Sequence, residues 1–224
     1  MDTSDTAQDP AIVQIDIVSD VMCPWCIVGF RQLEQALGWV GAGAYVRWHP
    51  FELNPDMPPQ GQNLREHITQ KYGSTPEQSE QNRAHLVKLG EELGIAFNFD
   101  ENSRIVNTFA AHQLLGWAQT KGLQHPLKMA LFEAHFVQGR DVSDPTELCA
   151  IAGEVGLDSA EAQEVLATAS HAEETRAHQQ FWTSRGVSGV PAMVFAGQYL
   201  LTGAQGAQTY AQMLKKVLDE QKAA

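Results

Sequence analysis

Strand-forming segments stand near both ends of this chain and are nearly missing from its middle, and this distribution constrains the fold more than any other feature. Near the start, Ile12-Val13-Gln14-Ile15-Asp16-Ile17-Val18 is an apolar run rich in β-branched residues and reads as a strand. A helix is expected from Pro24 to about residue 37, and a second strand over 44–51, where Tyr45, Arg47 and His49 alternate with Val46 and Trp48. From about 63 to 185 the spacing is helical almost throughout, with helices expected at 63–72, 76–93, 105–121, 126–138, 145–155, 159–167 and 171–185. Strand character returns only in Ala192-Met193-Val194-Phe195 and Tyr199-Leu200-Leu201, joined by Ala196-Gly197-Gln198 as a hairpin, before a last helix at 206–220. Neither sheet fragment is stable alone, so the two halves must meet in space. The expected architecture is one α/β sheet domain split by an all-helical insertion, with a first half at 1–62, the insertion at 63–170 and the second half at 171–224. Residues 1–10 read as a disordered lead-in.

Where the first strand passes into the first helix stands Cys23-Pro24-Trp25-Cys26. Three residues of separation at a helix start bring the two sulfurs onto one face and within disulfide reach. Pro24 suits the first turn, where its missing N–H had no partner. Unpaired N–H groups and the positive end of the helix dipole favour a thiolate, so Cys23 is expected to ionise below the free value of about 8.5. Cys26, one turn in, is more shielded. Cys23 is therefore expected to attack a substrate disulfide, and Cys26 to displace the mixed disulfide that results. Two cysteines are also half of a zinc site, but structural zinc wants four ligands. The only other cysteine is Cys149, and no second Cys/His pair has finger spacing, so no metal is expected. Cys149 lies in an apolar helical stretch and reads as a buried small hydrophobe.

Three cysteines are too few for a secreted disulfide scaffold. The first ten residues are acidic and polar, without the basic start and apolar stretch of a signal peptide, and no apolar run is long enough to span a bilayer. The expectation is a cytoplasmic protein, where reducing conditions make a close cysteine pair catalytic in preference to structural. Net charge is −12, from 27 acidic and 15 basic residues, which repels a phosphate backbone and argues against nucleic acid as a partner. No membrane partner is expected either. Phosphate-cradling glycine loops, a GxSxG segment and a zincin helix are all missing from the sequence.

The segment Val18-Ser19-Asp20-Val21-Met22-Cys23-Pro24-Trp25-Cys26-Ile27-Val28-Gly29 resembles the active-site region of the DsbA-like thioredoxin superfamily, and most closely its FrnE-like branch. The resemblance extends to Pro50-Phe51-Glu52-Leu53-Asn54-Pro55, Asn107-Thr108-Phe109-Ala110-Ala111-His112, Gly139-Arg140-Asp141-Val142 and Gly186-Val187-Ser188-Gly189-Val190-Pro191. It implies a thioredoxin fold with a large helical insertion, and thiol–disulfide exchange with disulfide-bearing proteins or small thiols. It further implies that Pro191 is a cis-proline facing the cysteines, that Val190 offers backbone hydrogen bonds to a bound chain, and that Trp25 shapes the rim around the sulfurs. No cofactor is implied, apart from glutathione in the role of a co-substrate. A second branch with the same insertion, the 2-hydroxychromene-2-carboxylate isomerases and kappa-class glutathione transferases, supplies the alternative. Those enzymes bind glutathione and typically place Ser where this chain has Cys23.

Among the histidines, His112 falls in the family-like segment and is expected to take a polar or capping role, and His49 reads as a strand-end residue. Phe109, Trp117, Phe132 and Phe136 recur at helical spacing and are expected in the core.

Overall fold

The computed structural model describes residues 11–223; the expected lead-in at 1–10 lies outside the described residues. Strands β1 (Ile12–Ser19), β2 (Gly43–Pro50), β5 (Ala192–Phe195) and β6 (Tyr199–Thr202) form one sheet in the order β2-β1-β5-β6. The β1–β2 pair is parallel, which requires the crossover helix α1 (Pro24–Val40) between them. The β1–β5 and β5–β6 pairs are antiparallel, with Ile17 opposite Met193 and Val18 opposite Ala192. The two ends of the chain thus meet strand to strand, as the split strand signal requires. At the hairpin tip Ala196 and Gly197 both have positive φ, 50° and 69°, and the Gln198 N–H donates to the Phe195 carbonyl at 3.0 Å.

Side chains alternate across β1. Val13, Ile15 and Ile17 enter one core with Phe30 and Leu33 of α1 and Tyr210 and Leu214 of α9 (Ala207–Ala223). Val18 faces the other way, against Val187 and Ala192. Asp16, on the same side as Val18, is buried but paired: its carboxylate takes Arg47 and His49 at 2.8 Å each.

Between β2 and β5 come a two-stranded ribbon, β3 (Gln62–Asn63) with β4 (Arg104–Ile105), and helices α2 (Leu64–Tyr72), α3 (Pro76–Glu92), α4 (Phe109–Thr120), α5 (Gln124–Phe136), α6 (Pro145–Glu154), α7 (Ser159–Thr168) and α8 (Ala172–Thr183). Two-residue strands leave no sequence period to read, and the spacing reading missed both. It also began α4 four residues early, because Arg104 and Ile105 pair in β4 and Asn107 Oδ1 accepts the Phe109 N–H at 2.9 Å. In α5 it began two residues late: Pro126 sits inside the first turn, where its absent N–H would have had no partner.

The helical block has its own core, centred on Leu114, Leu127, Leu131, Leu148 and Ile151. Val21 and Met22 belong to that core, whereas Cys23 and Cys26 belong to the core of the sheet. The turn carrying the cysteines therefore straddles both hydrophobic clusters, and neither half of the molecule can shift without moving it. A side chain locks the halves further. Gln124 at the start of α5 accepts the Trp48 N–H at 3.0 Å and donates to the Trp48 carbonyl at 2.9 Å, so one amide does for edge strand β2 what a further strand would do.

Candidate active site

Asp20 builds the turn ahead of α1. Its buried carboxylate accepts the Met22 N–H at 3.3 Å and the Leu53 N–H at 2.7 Å, and its carbonyl accepts the Cys23 N–H at 3.3 Å. His112 of α4 comes within 3.5 Å of the same carboxylate and within 3.0 Å of the Phe51 carbonyl. Burial resists the charge on Asp20, but hydrogen bonding and charge from His112, the Leu53 N–H and the Lys128 ammonium outweigh it and hold the carboxyl below its ordinary range. His112 is thus a buried brace under the active-site turn, beyond the polar or capping role expected of it.

Cys23 is the N-cap of α1 and Pro24 its first residue. Both sulfurs are free, Cys26 fully buried and Cys23 3% exposed. Cys23 nevertheless lines a cleft of about 670 Å³ between the sheet domain and the helices, together with Trp25, Tyr72, Phe99 and Val190; Cys26 does not reach it. Access to the cleft separates the two thiols.

Their ionisation runs opposite to the sequence-based expectation. Cys23 is pushed well above the usual thiol range by its hydrogen bond with Cys26, by burial, and by the negative charges of Cys26 and Asp20. Its sulfur also stands 3.6 Å from the Val190 carbonyl oxygen, an acceptor that suits a thiol and repels a thiolate. For Cys26 burial again opposes charge, but the Cys23 thiol, the Lys128 ammonium, the Ser19 hydroxyl and the Asp20 backbone overcome it and lower the pKa. Of the two sulfurs, the inner one is thus the easier to ionise. The Cys26 N–H, in the first turn of α1, favours a thiolate on Cys23 but is outweighed by the Cys26 sulfur, burial and the Asp20 charge.

The other expected site residues gather at the same place. The Val190–Pro191 bond is cis. Val190 brings its carbonyl to Cys23, and the Pro191 carbonyl accepts the Gly203 N–H at 2.7 Å. Pro191 packs over α1 at Gly29, where an added Cβ would stand 3.2 Å from Pro191 Cγ. Trp25 is 38% exposed on the cleft rim, its ring centroid 6.3 Å from that of His85 on α3. Cys149 lies apart on α6, half-buried against the helical core, and burial raises its pKa. Among the described residues no cluster of His, Cys, Asp and Glu could hold a metal ion, and no helix is long and apolar enough to cross a membrane.

Sequence reasoning missed two members of the site. Asp20 and Lys128 are each about 1% exposed, and each carries a charge in the middle of an apolar stretch. In Leu127-Lys128-Met129-Ala130-Leu131-Phe132, Lys128 lies three and four residues before Leu131 and Phe132, on the stripe that faces the core. A cation on a core-facing stripe is the signal that was available.

Comparison with known proteins fits this geometry. A family model described as a DsbA-like thioredoxin domain matches residues 14–215. The YwbO protein of Bacillus subtilis strain 168 is 28% identical over 211 residues, covering 94% of this chain and 98% of its own. The crystal structure of a "probable DsbA oxidoreductase", SCO1869 of Streptomyces coelicolor, superposes with a TM-score of 0.86 at 31% identity, over 93% of this chain and 91% of that one. The cytosolic disulfide reductase DsbM of Pseudomonas aeruginosa, solved with GSH, shares the fold at a TM-score of 0.61 and 19% identity, over 92% of this chain and 99% of that one. With the match spanning the strands at both ends, the helices between them and the Cys23–Cys26 turn, this chain belongs to the DsbA-like thioredoxin domain family.

Proposed function

We propose that this protein is a thiol–disulfide oxidoreductase in which Cys23 attacks and Cys26 resolves. The observation that carries the assignment is the placement of the two sulfurs: one lines the cleft and the other lies directly behind it. As Cys23 attacks a sulfur of the substrate disulfide, its proton passes to the Cys26 thiolate. One new S–S bond forms, the substrate S–S bond breaks, and the leaving sulfur takes the proton from Cys26. Cys26, a thiolate again, attacks Cys23, closes the Cys23–Cys26 disulfide and releases the second substrate sulfur as a thiolate. The substrate is reduced by two electrons, the pair is oxidised by two, and the charge balances at each step. An inner thiolate thus serves first as base and then as nucleophile, so a raised pKa at Cys23 is no obstacle to attack.

The cleft supports disulfide-bearing peptide segments and small thiols as partners. Trp25 and Tyr72 offer apolar contact at its mouth, and the Val190 backbone can add to an extended chain. Glutathione is the co-substrate we assign; the cleft has room for a tripeptide, and DsbM shares the fold and was solved with GSH. The FrnE-like branch is favoured because Gly139, Arg140 and Asp141, from one of its segments, line the cleft. The cytoplasm is the working compartment we assign, since three cysteines are too few for the disulfide framework of a secreted scaffold. Glutathione-dependent isomerase or transferase chemistry, with Ser at the first cysteine position, leaves the buried Cys26 without a task. Insulin-disulfide reduction tests the assignment. The parent should turn over and Cys23→Ser should be inactive, whereas equal rates in the two would overturn it.

A further inference from the structure

The cleft in front of Cys23 differs in charge from the chain as a whole. Net charge over the sequence is −12, yet Arg83, Arg104 and Arg140 line the cleft against only Asp100 and Asp141, and no glutamate or lysine joins them. Three of these five side chains are already engaged. Arg140 reaches Glu147 at 2.7 Å and Glu154 at 2.8 Å. Asp100 accepts the Asn102 N–H at 2.9 Å and the Ser103 hydroxyl at 3.0 Å, and Asp141 accepts the N–H and hydroxyl of Ser143 at 2.9 Å and 2.6 Å. Arg83 and Arg104 are left. Among the described residues no carboxylate stands within ion-pair distance of either, and Arg104 gives a hydrogen bond only to the Gln60 carbonyl.

Much of the remaining lining is apolar. Phe99 and Phe136 stand edge to face with ring centroids 6.3 Å apart, and Ile68 and Leu86 also line the cleft. The thiol and the two cations come from different halves of the molecule, Cys23 from the head of α1, Arg83 from α3 and Arg104 from β4. A volume of about 670 Å³ falls inside the roughly 300–1,000 Å³ of small-molecule pockets. We propose that the disulfide this cleft selects is a small molecule with an apolar body and a carboxylate, and that Arg83 and Arg104 are specificity-determining residues that take the carboxylate while Cys23 meets the sulfur. This rests on the exchange reading above and leaves its chemical step unchanged. A guanidinium offers a carboxylate two parallel N–H donors, and a concave site of one sign focuses the field on an incoming anion.

The test compares two aromatic disulfides, the dianionic dithiobis-nitrobenzoate and the neutral dithiodipyridine. Each is mixed with reduced protein in a Cys149→Ser background, so that Cys23 and Cys26 are the only thiols. Arg83→Gln combined with Arg104→Gln should slow reaction with the anionic disulfide by about tenfold or more and change the neutral one by less than about twofold, since cleft charge raises encounter rates on that order. Equal losses with both disulfides, or no loss with the anion, overturn the proposal and leave the exchange reading standing. A parent pair that neither disulfide oxidises overturns both. Ionic strength decides the matter in the parent if the double variant does not fold. Attraction by the two arginines means that added salt slows the anionic disulfide and spares the neutral one. A rate for the anion that is flat or rises with salt, as repulsion by the overall negative charge would make it, overturns the proposal.

Discussion

The sulfur of Cys23 lies 3.6 Å from the carbonyl oxygen of Val190, a residue 167 positions further along the chain. That contact closes the active site. It joins the turn after the first strand to the loop before the returning strand, and it puts a hydrogen-bond acceptor against the thiol that must become a nucleophile.

A bound substrate must take Cys23 away from this carbonyl, and Cys26 must then free the substrate. Cys26→Ser removes the second step only. It should accumulate a mixed disulfide through Cys23, visible as a mass adduct that dithiothreitol reverses, while Cys23→Ser should form none. In the reduced parent, a bulky alkylating reagent should modify Cys23 before Cys26, since of the two only Cys23 lines the cleft. Preferential labelling of Cys26 would contradict the assignment.

The junction of the two halves rests heavily on Gln124. Gln124→Leu keeps the volume but strips partners from both the N–H and the carbonyl of Trp48, which are buried. Each unsatisfied backbone group costs about 1–3 kcal/mol, so a loss of about 2–4 kcal/mol is expected in chemical denaturation. A change under about 0.5 kcal/mol would show that water replaces the amide.

Gly29 gives α1 room to pass beneath Pro191. An alanine Cβ there would meet Pro191 Cγ at 3.2 Å, Met193 Cε at 3.3 Å and the Tyr210 hydroxyl at 3.4 Å. Gly29→Ala should be nearly neutral, because the tight contacts offset the roughly 1 kcal/mol that alanine gains over glycine in a helix. Gly29→Val pushes further into the proline and should cost about 1–3 kcal/mol. It should also slow exchange by displacing the Val190–Pro191 loop from Cys23.

Acid should weaken the fold well above the carboxylate range. Burial holds the His135 imidazole at about 4, against an ordinary 6.5. Between those values the unfolded chain binds a proton that the folded one refuses, so stability is full above pH 6.5 and falls as the pH drops towards 4. The ring is only half-buried and lines the cleft, where water screens it, so the loss from this group stays well below about 3 kcal/mol. His135→Leu should flatten that limb of the stability curve. Asp20 acts lower down: with its folded pKa depressed, its contribution is full above the ordinary 3.8 and disappears as the pH falls through the folded value. An unchanged slope between pH 6.5 and 4 in His135→Leu would exclude the histidine as the cause.

Local chemistry alone determined much of this protein. The β-branched run at 12–18, the hairpin at Ala196-Gly197 and the helical spacing between them imply a sheet interrupted by helices, because periodicity and turn residues act over a few positions. The spacing of Cys23 and Cys26 at a helix start likewise announces a dithiol pair. Only the tertiary structure decided which sulfur is the easier to ionise. The helix dipole favours Cys23, but the Val190 carbonyl and Asp20 work against a thiolate there, while Lys128 and Ser19 favour one on Cys26. Val190 and Lys128 lie more than a hundred residues from the cysteines along the chain, and Asp20 and Ser19 act through buried placement that spacing does not reveal. Their effect depends on distance and on burial away from water, and both of these exist only once the chain has folded.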